Sequence, residues 1–344
     1  MVNIMELGLA ANAIAKGVMW LINAIFEGVG NYGVAVILFT LILKAAMSPL
    51  DVWQKAVMTK NNRAMERMKP QLEKLQKQYA NNKELYSQKQ MELYRKEKYS
   101  MLGSCLPTIL SLVIFILVFS GFNGMIRQYN EDMFTSMQTA YYDTYDAAAG
   151  DDAAKKAAAE QAVVNTFDNE YKSQTRFLWI SNVFMPDGWK QPIPDYETFS
   201  GTGMGKLNIQ MEIKDGITGY EKVMSPLIAK YNGEKGKKWN GYLILPVIAA
   251  LITFASGKLM KQAQPPSAPG QGENMQNAMQ ANMKMMQYFM PIMLGVLAMF
   301  YSTAFSIYMI ISNIFSTVFQ LVYNLFVKKQ DKRLEEKRLE TTYK

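Results

Sequence analysis

Long apolar runs, each bounded by charged stretches, dominate the pattern of the chain. Residues 99–126 hold 28 positions without Asp, Glu, Lys or Arg, residues 239–257 hold 19, and residues 285–327 hold 43. A fourth run of 23 positions, residues 28–50, is broken only by Lys44. A bilayer core about 30 Å thick takes about 20 apolar helical residues per crossing. The pattern therefore predicts five membrane-spanning helices, at 31–54, 101–126, 241–259, 285–302 and 303–327. The 43-residue run divides into two near Ser302 and Thr303. The rival reading, core helices of a soluble protein, fits poorly with charge-free runs of this length.

The segments between the runs carry their own periods. In residues 1–30, Ile14, Val18, Leu21, Ile22 and Ile25 share one helical face, while Asn12, Lys16, Asn23 and Glu27 share the other. That is an amphipathic helix suited to lying in a membrane interface. Glu6 stands where a signal peptide would want a basic start. In residues 55–100, Met65, Met68, Leu72, Leu75 and Tyr79 are spaced 3-4-3-4, a packing seam for a partner helix. Ala80-Asn81-Asn82 predicts a turn, and a second helix over about 83–98 offers Met91 and Tyr94. The prediction is an antiparallel helical hairpin. In the long segment 127–240, the Ala-rich stretch Ala147 to Val164 favours helix, and Gly201 to Gly205 and Gly233 to Gly236 mark loops. Residues 260–284 form a loop whose Met-rich end, Met275 to Met290, suits either anchoring at a membrane surface or receiving apolar segments. Residues 328–344 form a basic tail, a solvated extension at anionic lipid.

Charge orients this arrangement. The 344-residue chain has formal net charge +8 and a mean hydropathy near zero, an average that conceals segregation. Residues 51–100 are net +6, 258–284 net +2 and 328–344 net +3, whereas 126–240 are net −3 and the first 27 residues net −1. With five crossings the positive segments all fall on one side. That side is cytoplasmic, so the N-terminus is outside and the C-terminus inside. The hairpin's charge fits a solvated loop and equally a docking arm for anionic headgroups, ribosomal RNA or a targeting factor.

Composition excludes several chemistries. One Cys (Cys105) and no His exclude an internal disulfide framework, the usual Zn ligand sets, and Ser-His-Asp or Cys-His catalysis. Gly203, Gly205 and Lys206 resemble a phosphate loop only in part, because Leu207 stands where Ser or Thr is needed and Ser200 replaces the first Gly. No catalytic residue, metal or cofactor is expected.

Polar residues inside the apolar runs carry the remaining information. Lys44 lies about 9 Å inside the inner end of its span at 1.5 Å per residue. It either snorkels to the headgroups or places a positive charge in a water-filled cavity. Thr40 and Ser48 share its helical face. Ser111, Ser120 and Asn123, then Thr253 and Ser256, then Ser306, Ser312, Asn313, Ser316 and Gln320 lie in the later runs, as cavity lining or as interhelical hydrogen-bonding glue. The absence of an intramembrane carboxylate weighs against a proton-coupled carrier, and the lack of similarity between halves weighs against a solute transporter built from repeats.

These residues resemble the YidC family of membrane protein insertases. Tyr32 to Thr40, then Leu43-Lys44 and Ser48-Pro49-Leu50, look like the family's first core helix, with a basic residue five before a Pro-Leu pair. Lys69-Pro70-Gln71-Leu72-Glu73-Lys74-Leu75 resembles the first arm of its cytoplasmic hairpin, and Leu102 to Pro107 the start of its second core helix. Phe177-Leu178-Trp179-Ile180 with Pro186-Asp187 resembles the outer stretch before the third. Met290-Pro291-Ile292-Met293 and Tyr308 with Ser312-Asn313 resemble the last two. The likeness covers about 30–125, 176–188 and 242–327. Lys44 departs from the family's usual Arg, Thr303-Ala304-Phe305-Ser306 from its usual start of the last span, and the outer segment is longer than usual.

The resemblance implies an all-α polytopic membrane protein, a five-transmembrane-helix insertase core with a cytoplasmic helical hairpin, in the bacterial cytoplasmic membrane. It implies a hydrophilic groove open to cytoplasm and lipid, lined by Lys44, Thr40, Ser48, Ser111, Tyr308, Ser312 and Asn313. Nascent membrane proteins would pass their hydrophilic tails through it without ATP. A ribosome, a targeting factor or the Sec translocon would meet the hairpin 55–100 and the tail 328–344. The competing functions are a membrane anchor displaying the 127–240 segment and a small-solute transporter.

Overall fold

A computed structural model of the chain describes residues 4–99, 101–233, 238–259, 289 and 292–342. The Met-rich stretch and the 260–284 loop lie outside these described residues, as does the start of the fourth predicted span. The fold is all-α: among the described residues there is no strand, only an isolated antiparallel bridge between Phe177 and Ile180. The helices are α1 (Ile4–Val29), α2 (Tyr32–Gln78), α3 (Lys83–Lys96), α4 (Met101–Ala147), α5 (Asp152–Thr166), α6 (Lys172–Thr175), α7 (Tyr196–Ser200), α8 (Gly216–Tyr231), α9 (Ile244–Leu259), α10 (residues 292–300) and α11 (Thr303–Thr342). Stretches of α2, α4 and α11 are long and apolar enough to cross a bilayer, and α9 is a shorter apolar helix. The chain divides into two compact units.

The first unit comprises residues 1–42, 115–251 and 293–312. Its aromatic core joins α2, α4 and α11: Phe39 meets Phe122 edge-on at 5.9 Å, and Phe122 meets Tyr308 at 5.6 Å. Gly33 on α2 has no room for a side chain, since a Cβ there would stand 2.5 Å from the Phe177 ring. The helix α4 continues some twenty residues past the end predicted for its span. Its C-terminal half buries Met133, Phe134, Met137 and Tyr141, so apolar periodicity sustains it beyond the charge-free run. Phe134 stacks on Tyr220 of α8 at 5.2 Å, and Phe199 of α7 completes the trio. The segment 127–240 is therefore folded around packed aromatic side chains of its own. Its Ala-rich helix α5 starts later than the composition suggests: Gly150 at φ +116° ends the preceding turn, and Asp151 caps the helix by accepting the Ala154 N–H. Nearby, Lys230 and Tyr231 of α8 and Lys172 of α6 donate to Asp168 and hold its carboxyl well below the usual carboxylate range.

The stretch Ile180–Asp187 ties two helix starts together. The buried Asp187 carboxylate accepts the backbone N–H groups of Tyr242, Leu243 and Leu245 at 2.7, 3.0 and 2.8 Å, capping α9. Those donors have no partner within the helix, and a carboxylate complements the positive end of the helix dipole. The carbonyl of Met185 accepts from the N–H and the hydroxyl of Thr303, and the carbonyl of Val183 accepts from the N–H of Ala304, at the start of α11. Asn240 locks the loop by donating to the carbonyls of Asn182, Met185 and Pro186.

The second unit comprises residues 43–114, 252–292 and 313–344. Its hairpin packs α3 on the far half of α2 through Ala64, Met68, Leu93 and Tyr94, with Met65, Leu72, Leu75, Met91 and Tyr99 around them. Asn82 caps α3 by accepting the Leu85 N–H, directly after the turn at Ala80–Asn82. The predicted first span and first hairpin arm are one continuous helix, because nothing between Leu50 and Met65 breaks helical geometry. The tail continues α11 in the same way to Thr342.

Asp187 generates the first prediction. Asp187→Ala leaves three backbone donors without their acceptor, that of Leu245 buried, and is expected to cost about 2–4 kcal/mol, as loss of hydrogen bonds to a charged acceptor does. Thermal unfolding in detergent measures this, with Asp187→Asn intermediate. An unchanged melting temperature would contradict the capping role.

A polar seam in the candidate functional site

The site is built on α2, α9 and α11 within the second unit. Lys44, Ser48, Asp51 and Lys55 recur at spacings of 4, 3 and 4 and so form one stripe along α2. Lys44 is half-buried and its ammonium donates to the Ser316 hydroxyl of α11 at 3.3 Å. Three turns further along, Lys55 donates to the Gln320 side chain and lies 5.7 Å from the Phe319 ring. The Asp51 carboxylate is near enough for its charge to act on both lysines. From α9, Thr253 accepts a 2.8 Å hydrogen bond from the Asn313 amide, and Ser256 shares a 2.6 Å hydrogen bond with Thr317. Apolar helices are thus joined along a seam of polar contacts.

The register of these contacts fixes direction. On α2, positions 44 and 55 meet 316 and 320 on α11. On α9, positions 253 and 256 meet 313 and 317. Number rises with number in both pairs, so α2, α9 and α11 run parallel. Parallel helices in a bilayer enter from the same side, which requires the chain to recross between each pair.

The residues expected to line a groove fall into different surroundings. Lys44, Ser48, Ser111 and Asn313 belong to the second unit; Thr40, Tyr308 and Ser312 belong to the first. Ser111 is exposed on α4. Ser48 is half-buried and donates to the Ala45 carbonyl one turn back at 2.8 Å. Thr40 is fully buried and donates to the Val36 carbonyl at 2.6 Å. Tyr308 is buried against Phe122, with Ser312 as its hydroxyl's partner. Lys44 and Asn313 therefore take part in the seam of the second unit, while Thr40 is buried in the first unit and Tyr308 sits in its aromatic core. The chemistry available at the seam is hydrogen bonding and Coulombic attraction from two ammonium groups balanced by one carboxylate.

Comparison with known proteins places this geometry. A family model described as 60Kd inner membrane protein matches residues 24–331. The chain belongs to that family. Among its relatives is the membrane protein insertase YidC of Vibrio cholerae, 41% identical over 106 residues, 31% of this chain and 19% of that protein. That of Fusobacterium nucleatum is 35% identical over 116 residues, 34% of this chain and 53% of that protein. That of Leptospira interrogans is 25% identical over 198 residues, 57% of this chain and 24% of that protein. The chain thus matches from a fifth to about half the length of these relatives.

Two members of the seam escaped the reading of apolar runs. Asp51 and Lys55 lie just beyond the run that ends at Leu50, where charges pass for the edge of a loop. Their spacing from Lys44, at 7 and 11 positions, was the available signal, since both multiples return to the same helical face.

The parallel register yields the second prediction. In a Cys105→Ser background, cysteine pairs at 44 and 316 and at 55 and 320 are expected to crosslink with a short bifunctional reagent. Pairs at 44 and 320 and at 55 and 316 are not. The reverse pattern would contradict the parallel seam.

Proposed function

We propose that this protein is a membrane protein insertase, in which the charged seam of α2 receives the hydrophilic tails of substrate proteins and releases their apolar segments into lipid. The observation that carries this reading is Lys44, a half-buried cation inside an apolar helix whose ammonium donates to a neutral group, the Ser316 hydroxyl of α11. A cation in hydrocarbon costs about 2.5–3.5 kcal/mol on insertion scales, a cost that function must justify. The names of the relatives support the same activity.

The steps follow from elementary physics. A polar tail crossing a bilayer exposes backbone groups that cost several kcal/mol each when unsatisfied. The hydroxyls and amides of Ser48, Asn313, Ser316 and Gln320 exchange their present partners for that backbone. Lys44 and Lys55 attract acidic residues in the tail, and Asp51 tempers the attraction so that the tail is not trapped. The apolar segment then partitions into lipid, which drives the reaction without ATP. A membrane potential positive outside draws an acidic tail the same way. Lysine suffices for this role because the attraction is to a point charge and needs no guanidinium fork.

The topology belongs to the same proposal. Five crossings, with α4 between α2 and α9 and α10 between α9 and α11, would give the parallel register. The excess of Lys and Arg in 51–100 and 328–344 then puts the hairpin and the tail in the cytoplasm, and the N-terminus outside. There the hairpin 55–100 and the tail 328–344 are the surfaces for a ribosome, a targeting factor or the Sec translocon.

Lys44 generates the third prediction. In proteoliposomes lacking other insertases, Lys44→Ala is expected to lower insertion of a short acidic-tailed substrate about tenfold, equivalent to roughly 1.4 kcal/mol. Lys44→Arg is expected to retain it. Insertion unaffected by Lys44→Ala for every substrate would overturn the groove and favour a membrane anchor that displays the outer domain.

A further inference from the structure

The second unit holds a cleft of about 380 Å³ where the apolar runs of α2 and α11 end. Its lining combines Lys60, Arg63 and Arg67 of α2 with Tyr323, Val327 and Gln330 of α11. The three cations are spaced 3 and 4 apart and so occupy one face of α2. Val327 is the last residue of the 43-residue charge-free run, so the cleft opens at the level where hydrocarbon gives way to headgroups. Just inside that level α11 presents Leu321, Val322, Leu325 and Phe326, exposed by 47%, 61%, 69% and 67%. On α2 the aromatic Trp53, exposed by 47%, marks the same boundary. Glu97 of α3 pairs with Arg67 at 3.1 Å.

We propose that this cleft is a binding site for an anionic phospholipid, with its phosphate held by Lys60, Arg63 and Arg67 and its acyl chains lying along Leu325 and Phe326. The chemistry is specific on both sides. Guanidinium groups bind phosphate oxygens in a fork, and lysine adds a point charge. The apolar surface that continues from the cleft into the bilayer fits a ligand that is charged at one end and apolar at the other. A nucleic acid has no apolar end, and its phosphates would leave Val327 and the exposed α11 face unused. Tyr323 and Gln330 offer a hydroxyl and an amide to the glycerol or headgroup oxygens. The site rests on α2 and α11 crossing a membrane and is independent of the insertase reading.

The test is lipid retention by the full-length protein. The purified chain is exchanged into mixed micelles of phosphatidylglycerol and phosphatidylcholine, and bound lipid is counted by native mass spectrometry. One phosphatidylglycerol is expected to persist in preference to phosphatidylcholine. Each lost cation should weaken retention about fivefold, as expected for a basic residue at an anionic surface. Lys60→Gln with Arg63→Gln should therefore release the lipid, and Lys60→Gln alone, at an exposed position, should show the smaller loss. Lys328→Gln with Lys329→Gln removes the same charge outside the cleft and should leave retention unchanged. Equal losses from both double variants would overturn the site in favour of general charge attraction. Displacement by water-soluble glycerol phosphate would overturn the lipid in favour of a free phosphate ligand. Preferential release by a short RNA would overturn it in favour of nucleic acid.

Discussion

In hydrocarbon, every polar group must find its partner inside the protein, and the architecture of this chain follows from that constraint. Thr40 answers it locally by donating to the carbonyl one turn back. Asn313, Thr253, Ser256 and Thr317 answer it between helices. Interhelical bonds of this kind fix register and direction more than they add stability, since each is worth only about 0.6–2 kcal/mol in a membrane. Lys44 and Lys55 answer it with the side chains of Ser316 and Gln320 and with the nearby Asp51 carboxylate.

The same constraint operates at the helix ends. A helix start exposes N–H groups without partners, and near a membrane surface such groups are best capped by the chain itself. The loop ending at Asp187 does this twice, with its carboxylate on α9 and its carbonyls on α11. The rings of Phe134, Phe199 and Tyr220 pack together within the same unit as that loop. The polar seam and the helix cap thus belong to different units.

Much of the helical layout was legible in the residues. Charge-free runs marked α2, α4 and α11, and the 3-4 seam from Met65 to Leu75 marked the hairpin with its turn at Ala80–Asn82. Both signals are periodic and local, which is why they could be read. The continuation of α4 to Ala147 was obscured because charges interrupt its apolar positions, whose partners Phe199 and Tyr220 lie far along the chain on α7 and α8. Within the site, Lys44 stood out by violating an apolar run, whereas Asp51 and Lys55 were hidden by lying beside other charges. Tyr308 shares the periodicity of the seam yet packs into an aromatic core, because helical phase cannot distinguish a neighbour's ring from a cavity.

The central claim is that the polar seam of α2 and α11 is the path of a substrate chain. Site-specific photocrosslinking tests it most directly, with the probe placed at position 44 or 313 while a short single-span substrate inserts into vesicles containing this protein alone. The account predicts crosslinks from both positions to the substrate's hydrophilic tail, appearing before insertion is complete and fading afterwards. Productive insertion without crosslinks from either position would contradict it and move the path away from the seam.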